Sequence, residues 1–340
     1  MNKRKAFINS MLSFVVIGSL ASTVPFLITS CNKKKVEQNK ITLNDNSSFA
    51  TIYDNNKIAE LLSSNTPSLD FDTKDGMKNI SKSDIKEIKF SNDNTLVNIP
   101  DNFMKDFTTF NTVLELPASC KTIGNNFMSG CTAYNQRIKL SSTIEKIGDY
   151  FMDSCAAYNQ PLSIPRSTEL IGNYFMKDCV AMNFIISMQD GLKKIGDYFM
   201  NGCTTFTQPI YFKDNLEIIG NNFLDGCTGF NSVITFQNRL TTIGESFLYN
   251  CSSYNRDITF PNSVTFIGQN FFYGMDKMVS TISFNSIRET VMLDNDLSFT
   301  NFGGQSASSD STLTGIKLKG GYVVNIIPAY SSINLIEVPS

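Results

Sequence analysis

The chain of 340 residues contains no histidine and no tryptophan. Without histidine there is no Ser–His–Asp or Cys–His catalysis, no histidine-ligated zinc, and no side chain whose ordinary pKa sits near neutrality. Basic excess is missing too: 29 Lys and Arg stand against 31 Asp and Glu, a net charge of −2. A nucleic-acid partner would call for a basic face, so none is expected. After residue 30 no apolar run is long enough to span a bilayer. What is present is a large apolar fraction, 41%, enough to build a core. The expectation is a non-enzymatic protein with no cofactor and no metal.

The first 30 residues read as an address. "MNKRK" is a basic start, Phe7 to Thr29 is mainly apolar, and the segment ends "LITSC". An aliphatic residue, two small ones and a cysteine resemble the lipobox of bacterial lipoproteins. The resemblance implies that Cys31 is acylated and becomes the mature N-terminus. The alternative is an uncleaved signal anchor. Acyl chains contribute roughly 0.8 kcal/mol per buried methylene, and stable anchoring takes a second signal. Lys33, Lys34 and Lys35 supply one on an anionic leaflet. The expected location is the cell membrane, lipid-anchored, on the extracellular face, with residues 31–49 as a polar tether.

Beyond the tether the chain repeats itself. Glycines of an Ile-Gly pair fall at Gly124, Gly148, Gly172, Gly196, Gly220, Gly244 and Gly268, each 24 residues after the last. Phe127, Phe151, Phe175, Phe199, Phe223, Phe247 and Phe271 keep the same step, and so do Cys131, Cys155, Cys179, Cys203, Cys227 and Cys251. Phe107 and Met275 hold the cysteine position in the first and last copies. An unbroken period of this length is the mark of a solenoid. Within a unit, Ile147, Phe151 and Cys155 recur at i, i+4 and i+8, which predicts a short helix capped by the Asn or Asp after the glycine. Runs such as "LSI" at Leu162 and "ITF" at Ile258 predict one short strand with a buried face.

The motif "LxxIGxxFxxC", as in Leu216–Cys227, and strands such as "LELP" at Leu114 resemble the BspA-like, Treponema-type leucine-rich repeat. That class carries Ala before its Phe, where this chain has Asn or Tyr. The added "YNQ" is similar to mycoplasma surface lipoproteins. The resemblance implies an α/β solenoid of 24-residue units, one parallel strand and one short helix each. The expected divisions are a signal peptide (1–30), the tether (31–49), an N-terminal cap (50–98), the solenoid (99–285) and a C-terminal β cap (286–340), in which "TLTGIKLKGGYVVNIIP" reads as a hairpin.

The six repeated cysteines are expected in the core, as small apolar fillers. Side chains in one column of a solenoid point the same way, whereas a disulfide needs converging Cβ atoms. The repeated Asn after the second aromatic is read as a structural amide ladder, with a glycan-binding ladder as the alternative. Candidate binding residues are Tyr150, Tyr174 and Tyr198, in three consecutive units, with Lys139 and Tyr211 of the outward strand positions. Exposed aromatics can anchor a partner, and adjacent ones can instead stack on each other. The function these features imply is display of a repeat face for binding to host or matrix proteins. The alternatives are an antigenic coat without a dedicated ligand and a solute-binding lipoprotein.

Overall fold

A computed structural model of the chain describes residues 38–275, except 92, 269 and 272, and the strands Ile282–Phe284, Met292–Leu293, Ile316–Lys319 and Leu335–Val338. Cys31 and the signal segment lie outside the described residues. The repeats wind as a stack of 24-residue coils. Each coil contributes a two-residue strand, from Asn98–Ile99 and Thr122–Ile123 to Phe266–Ile267 at 24-residue steps and ending from Ile123 on at the Ile of Ile-Gly, with Met292–Leu293 added 26 residues further on. These form one parallel nine-stranded sheet in strict register, Ile147 beside Ile123 and Ile171. A second strand column runs Leu114–Glu115, Ile138–Lys139, Leu162–Ser163, Ile186–Ser187, Ile210–Tyr211, Ile234–Thr235 and Ile258–Phe260.

The expected helix in each unit is absent. Among the described residues the one α-helix is α1, Asn55–Leu62, in the N-terminal cap. After each Ile-Gly the backbone instead alternates into the left-handed region, at Tyr150, Met152 and Ser154 or at Asn126, Met128 and Gly130. Each such residue other than glycine costs about 1–2 kcal/mol, and alternation prevents any helical run. In exchange the backbone N–H groups point up and down the stack. Asn126 donates to the Asp149 carbonyl of the next coil (2.7 Å), Met128 to Phe103 of the previous one (2.8 Å), and Gly130 to Asp153 (2.9 Å). Ile147, Phe151 and Cys155 all face inward because this arc wraps around the core, and its corners happen to fall four residues apart.

Identical side chains then meet between layers. The repeat phenylalanines form a continuous column from Phe103 to Phe271, with ring centroids 5.0 Å apart at Phe151–Phe175. Each buried ring contributes roughly 1.5–3 kcal/mol. A second aromatic column spaces wider, 6.0 Å at Tyr134–Tyr158. The layers are thus closer on the side of the nine-stranded sheet. Correspondingly, the second strand column is laddered only at alternate junctions among the described repeats: Ile210–Tyr211 pairs with Ile234–Thr235, which does not pair with Ile258–Phe260.

The Asn and Asp after each glycine do not cap helices. Asn125 Oδ1 accepts the backbone N–H of Asp149 one coil on (2.9 Å), Asp149 Oδ1 that of Asn173 (2.7 Å), and Asn173 Oδ1 that of Asp197 (2.8 Å). The Asn column after the second aromatic does the same, with Asn159 donating its N–H to Asn135 Oδ1 at 2.9 Å.

The N-terminal cap stands in for a preceding coil. It starts earlier than the sequence suggested: β1 (Lys40–Leu43) and β2 (Ser48–Ala50) occupy the stretch read as tether. β1 pairs antiparallel with β2 and with β5 (Ile85–Lys89), and β3 (Ser68–Thr73) forms a hairpin with β4 (Gly76–Ser81). Asp54 caps α1 by accepting from the Lys57 N–H. At the other end of α1, the Leu62 carbonyl accepts the Met104 N–H at 3.0 Å, the bond that the previous coil supplies elsewhere. Phe90 stacks on Phe103, closing that column, and the Lys82 ammonium lies 5.2 Å from the Phe107 ring. At the other end, Ile316–Lys319 pairs in parallel with both Ile282–Phe284 and Leu335–Val338. The Gly-Gly turn and the return strand of the expected hairpin lie outside the described residues.

The Ile-Gly glycines exist because the layers touch. A Cβ on Gly196 would lie 2.6 Å from Asn173 Oδ1 and from the Gly172 carbonyl carbon, whereas one on Gly226, at φ +71°, would meet nothing closer than 3.8 Å. Overpacking against backbone costs about 1–3 kcal/mol or more, in addition to any conformational cost. Gly196→Ala is therefore expected to lower stability in a denaturant melt by more than Gly226→Ala. Equal losses in the two variants would refute layer contact as the reason for this column.

Candidate functional site

Tyr150, Tyr174 and Tyr198 are brought together by the 24-residue step, half-buried in the arc that follows the nine-stranded sheet. Their rings stack with centroids 4.4 and 4.7 Å apart and planes within 6° of parallel. All three adopt φ near +57°, a conformation that aims each ring along the stack. The faces of Tyr174 are both covered by its neighbours. Only ring edges, hydroxyls and the two outer faces remain for a partner.

The other two candidates lie on the second strand column. Lys139 forms an ion pair with Glu115 one coil back, and both side chains are solvent-exposed, so the pair is worth at most about 1 kcal/mol. Tyr211 sits three coils further on and is exposed. Neither joins the tyrosine stack, and the five candidates do not form one site.

The cysteines are in the core. Cys131, Cys155, Cys179, Cys203, Cys227 and Cys251 are fully buried with free thiols. Each thiol donates to a carbonyl 27 residues earlier: Cys155 Sγ to Met128 O and Cys179 Sγ to Met152 O, both at 3.1 Å. Burial pushes the Cys131 thiol up to about 12 and raises the others as well. Among the described residues no group of three or more Cys, Asp or Glu is placed to hold a metal ion.

Because the strand before each Ile-Gly went unread, one outward column escaped the sequence analysis. It runs Lys146, Leu170, Lys194, Ile218, one residue per coil along the nine-stranded sheet. Lys146 and Lys194 are exposed, with Leu170 half-buried between them. Beside it Lys121 pairs with Glu145 (3.3 Å) and Lys193 with Glu169 (3.0 Å), while Lys146 and Lys194 make no ion pair among the described residues. The signal was the alternation of cation and aliphatic at the residue preceding the repeat Ile in four successive coils, between Thr122 and Thr242.

The BspA type leucine-rich repeat region, in six copies, matches residues 76–207 and 169–302, more than half of the chain. The chain belongs to this family. A leucine-rich repeat protein from Bacteroides ovatus has a similar solved structure, with TM-score 0.52 and 20% identity over 82% of this chain and 70% of that one. That likeness concerns the repeat fold. A T. pallidum leucine-rich repeat protein (TM-score 0.36, 17% identity, 55% of this chain and 77% of that one) is more distant. So is a leucine-rich cell surface protein from Faecalibacterium prausnitzii (TM-score 0.34, 13% identity, 72% and 83%). No curated protein matches the sequence. No described helix of this leucine-rich repeat chain is long and apolar enough to cross a membrane.

Two outcomes are expected at these residues. With a pKa near 12, about one Cys131 thiol in ten thousand is ionised at pH 8. Ellman's reagent should therefore label the ladder thiols only once denaturant unfolds the repeats, and fast labelling of several in buffer would overturn their burial. Replacing Tyr150, Tyr174 and Tyr198 together by Ala should cost about 1–3 kcal/mol of stability, from two lost ring stacks. Tyr211→Ala should leave the melt unchanged. An undiminished melt for the triple variant would show that the stack carries no structural weight.

Proposed function

We propose that the protein is a non-enzymatic cell-surface lipoprotein, of the type found in mycoplasmas, that presents its leucine-rich repeat array to proteins of a host or matrix. One observation carries this reading: inward positions repeat from coil to coil, while outward positions vary along the stack. A rigid stack fixes where each outward side chain sits, about 5 Å from the next, and leaves its chemistry free. Recognition by such an array adds many weak contacts across coils.

The nine-stranded sheet offers the more suitable face. Its strands are laddered throughout, and over four coils its outward column alternates exposed ammonium groups with aliphatic side chains. That pattern fits a partner whose surface alternates carboxylates and apolar groups. Charges at such a rim steer encounter and set specificity. Cys31, acylated, would hold the array at the outer face of the membrane, with Lys33 to Lys35 on its lipid headgroups.

The full chain expressed in a wall-less bacterium tests both parts. Wild-type protein should partition into the detergent phase of a Triton X-114 extract and incorporate labelled palmitate, and Cys31→Ala should do neither. Cells bearing wild-type protein should retain host surface proteins in a salt-sensitive manner. Lys146→Glu with Lys194→Glu should cut that retention tenfold or more while the melt stays unchanged. Retention that ignores this double variant would exclude the sheet face, and an absence of any retained protein would favour a coat.

A further inference from the structure

The surface of the arc changes character part-way along the stack. One column runs Tyr150, Tyr174, Tyr198, Asn222, and three residues later in each coil a second runs Asp153, Lys177, Asn201, Asp225, Tyr249, Tyr273. The first tyrosine stack ends at Tyr198. Another begins at Tyr249, whose ring lies 4.6 Å from that of Tyr273 with the planes 5° from parallel. That separation is about one layer, so the rings lie flat in the layers. The face of Tyr249 away from Tyr273 therefore looks toward the coil of Asp225, and the outer face of Tyr198 looks toward the coil of Asn222. Asn222 and Asp225 share one coil, between the ends of the two stacks. Both are shorter than tyrosine by a ring, so the surface steps down there.

Within that coil Asn222 Nδ2 donates to Asp225 Oδ2 at 3.1 Å, which ties the two columns together. Asn201 Nδ2 donates to the Asp225 backbone carbonyl at 2.9 Å. Among the described residues Asp225 Oδ1 accepts no hydrogen bond and the carboxylate makes no ion pair. Burial raises its pKa, opposed by the Asn222 amide alone, because a half-buried carboxylate without a counter-ion is costly to keep charged. The Tyr249 phenol is raised by burial, then by Tyr273, then by Asp225, which places this carboxylate near that ring. Three coils earlier the chain answers the same need from within. Asp153 occupies the same column and burial raises it too, but the next residue of the column, Lys177, opposes the rise. Burial works against the charge of Lys177, and Asp178, Asp153 and the Tyr174 phenol together outweigh it. Carboxylate, ammonium and tyrosine form one set there. Beside Asp225 the position of Lys177 belongs to Tyr249. The carboxylate and the rings recur without a lysine.

We propose that the step between the two tyrosine stacks binds an alkylammonium group from outside the chain. Asp225 Oδ1 is its counter-ion, the Asn222 amide fixes the carboxylate, and the faces of Tyr249 and Tyr198 flank it. An ammonium at the level of Asp225 lies about 5 Å along the stack from the layer of Tyr249. A ring face attracts a cation over roughly 6 Å. The carboxylate turns away anions, and a neutral ligand would leave its charge without a counter-ion. The proposal uses neither Cys31 nor the nine-stranded sheet, so it is independent of the host-binding reading.

Saturation-transfer NMR on the full chain in a non-ionic detergent at neutral pH tests the proposal. The probes are Nα-acetyl-lysine methylamide, which stands for a lysine of a protein, and 1,4-diaminobutane, which stands for a free amine. At least one should bind saturably at low millimolar concentration, and the one that binds identifies the source. Nα,Nε-diacetyl-lysine methylamide, which lacks the charge, should not bind. Asp225→Asn should weaken binding about tenfold or more, and Tyr249→Ala about threefold. Tyr249→Lys repeats the Asp153–Lys177 arrangement with an ammonium of the chain itself and should abolish binding. Asp75→Asn, in the exposed turn between β3 and β4, should leave it unchanged. Cooperative thermal melts would show that the variants fold. Failure of both probes to bind saturably would overturn the proposal. So would binding that survives Asp225→Asn or Tyr249→Lys, or that falls as much with Asp75→Asn, the sign of attraction to net charge alone.

Discussion

Everything in this fold depends on each coil lying directly on the next with no residue gained or lost. The contact is visible at one point per layer. Asn125 Oδ1 accepts the N–H of Asp149 at 2.9 Å, and the same oxygen would sit 2.8 Å from a Cβ on Gly148. The glycine makes room for the acceptor, and the acceptor satisfies the backbone group that the glycine's bend turns toward it. Neither residue is useful without the other 23 positions away on the adjoining coil, so both recur together at the 24-residue step. An insertion of one residue would shift Asn125 past its donor, leave a buried N–H unpaired, and drive a side chain into the glycine gap. Buried backbone groups without partners cost about 1–3 kcal/mol each, which is why the register holds from Ile99 to Ile267.

The same constraint explains the cysteine. The position must be small and apolar, since it faces the core between two layers. It must also give something to the carbonyl of the residue in left-handed conformation one coil back, such as Met128, which points inward. Alanine would fit but leave that carbonyl without a side-chain donor. Serine would donate but place a hydroxyl in an apolar core, a larger desolvation cost. A thiol is a weak donor on a small hydrophobe. At the first coil, where the cap takes the place of a preceding layer, Phe107 fills the position under the Lys82 ammonium.

The period, the inward columns and the leucine-rich repeat class were legible in the sequence, because burial repeats at a fixed step whatever the local backbone does. The conformation of the arc was not read. Ile147, Phe151 and Cys155 satisfy helical spacing, and two-residue strands such as Lys146–Ile147 are too short to show alternation. A contrary signal was available. The position six after each glycine holds Gly130, Ser154, Asp178, Gly202, Gly226, Asn250 and Gly274, residue types that tolerate positive φ. A helix interior has no use for such a column. Reading it would have exposed the arc, added a second strand at Lys146–Ile147, and brought Lys146 and Lys194 into view as outward residues. The tyrosines were placed correctly in one column, but their stacking rests on the left-handed backbone that the helix reading excluded.

Seen layer by layer, the stack separates two kinds of residue. Inward positions answer to the neighbours 24 residues away, and a change at one of them is felt in two other coils. Outward positions answer to solvent, and most exposed substitutions shift stability by no more than about 0.5 kcal/mol. The unequal spacing on the two sides then gives two surfaces of different character. Where the layers are closest, the sheet is continuous and its outward column carries paired and unpaired charges. Where the layers spread, the ladder lapses at alternate junctions, and exposed apolar side chains such as Phe184, Ile185, Tyr211 and Val233 stand on the surface. One sequence repeat therefore builds two faces that can change independently of the core and of each other. That independence is what allows a scaffold of near-identical coils to acquire a specific partner on one side without disturbing the other.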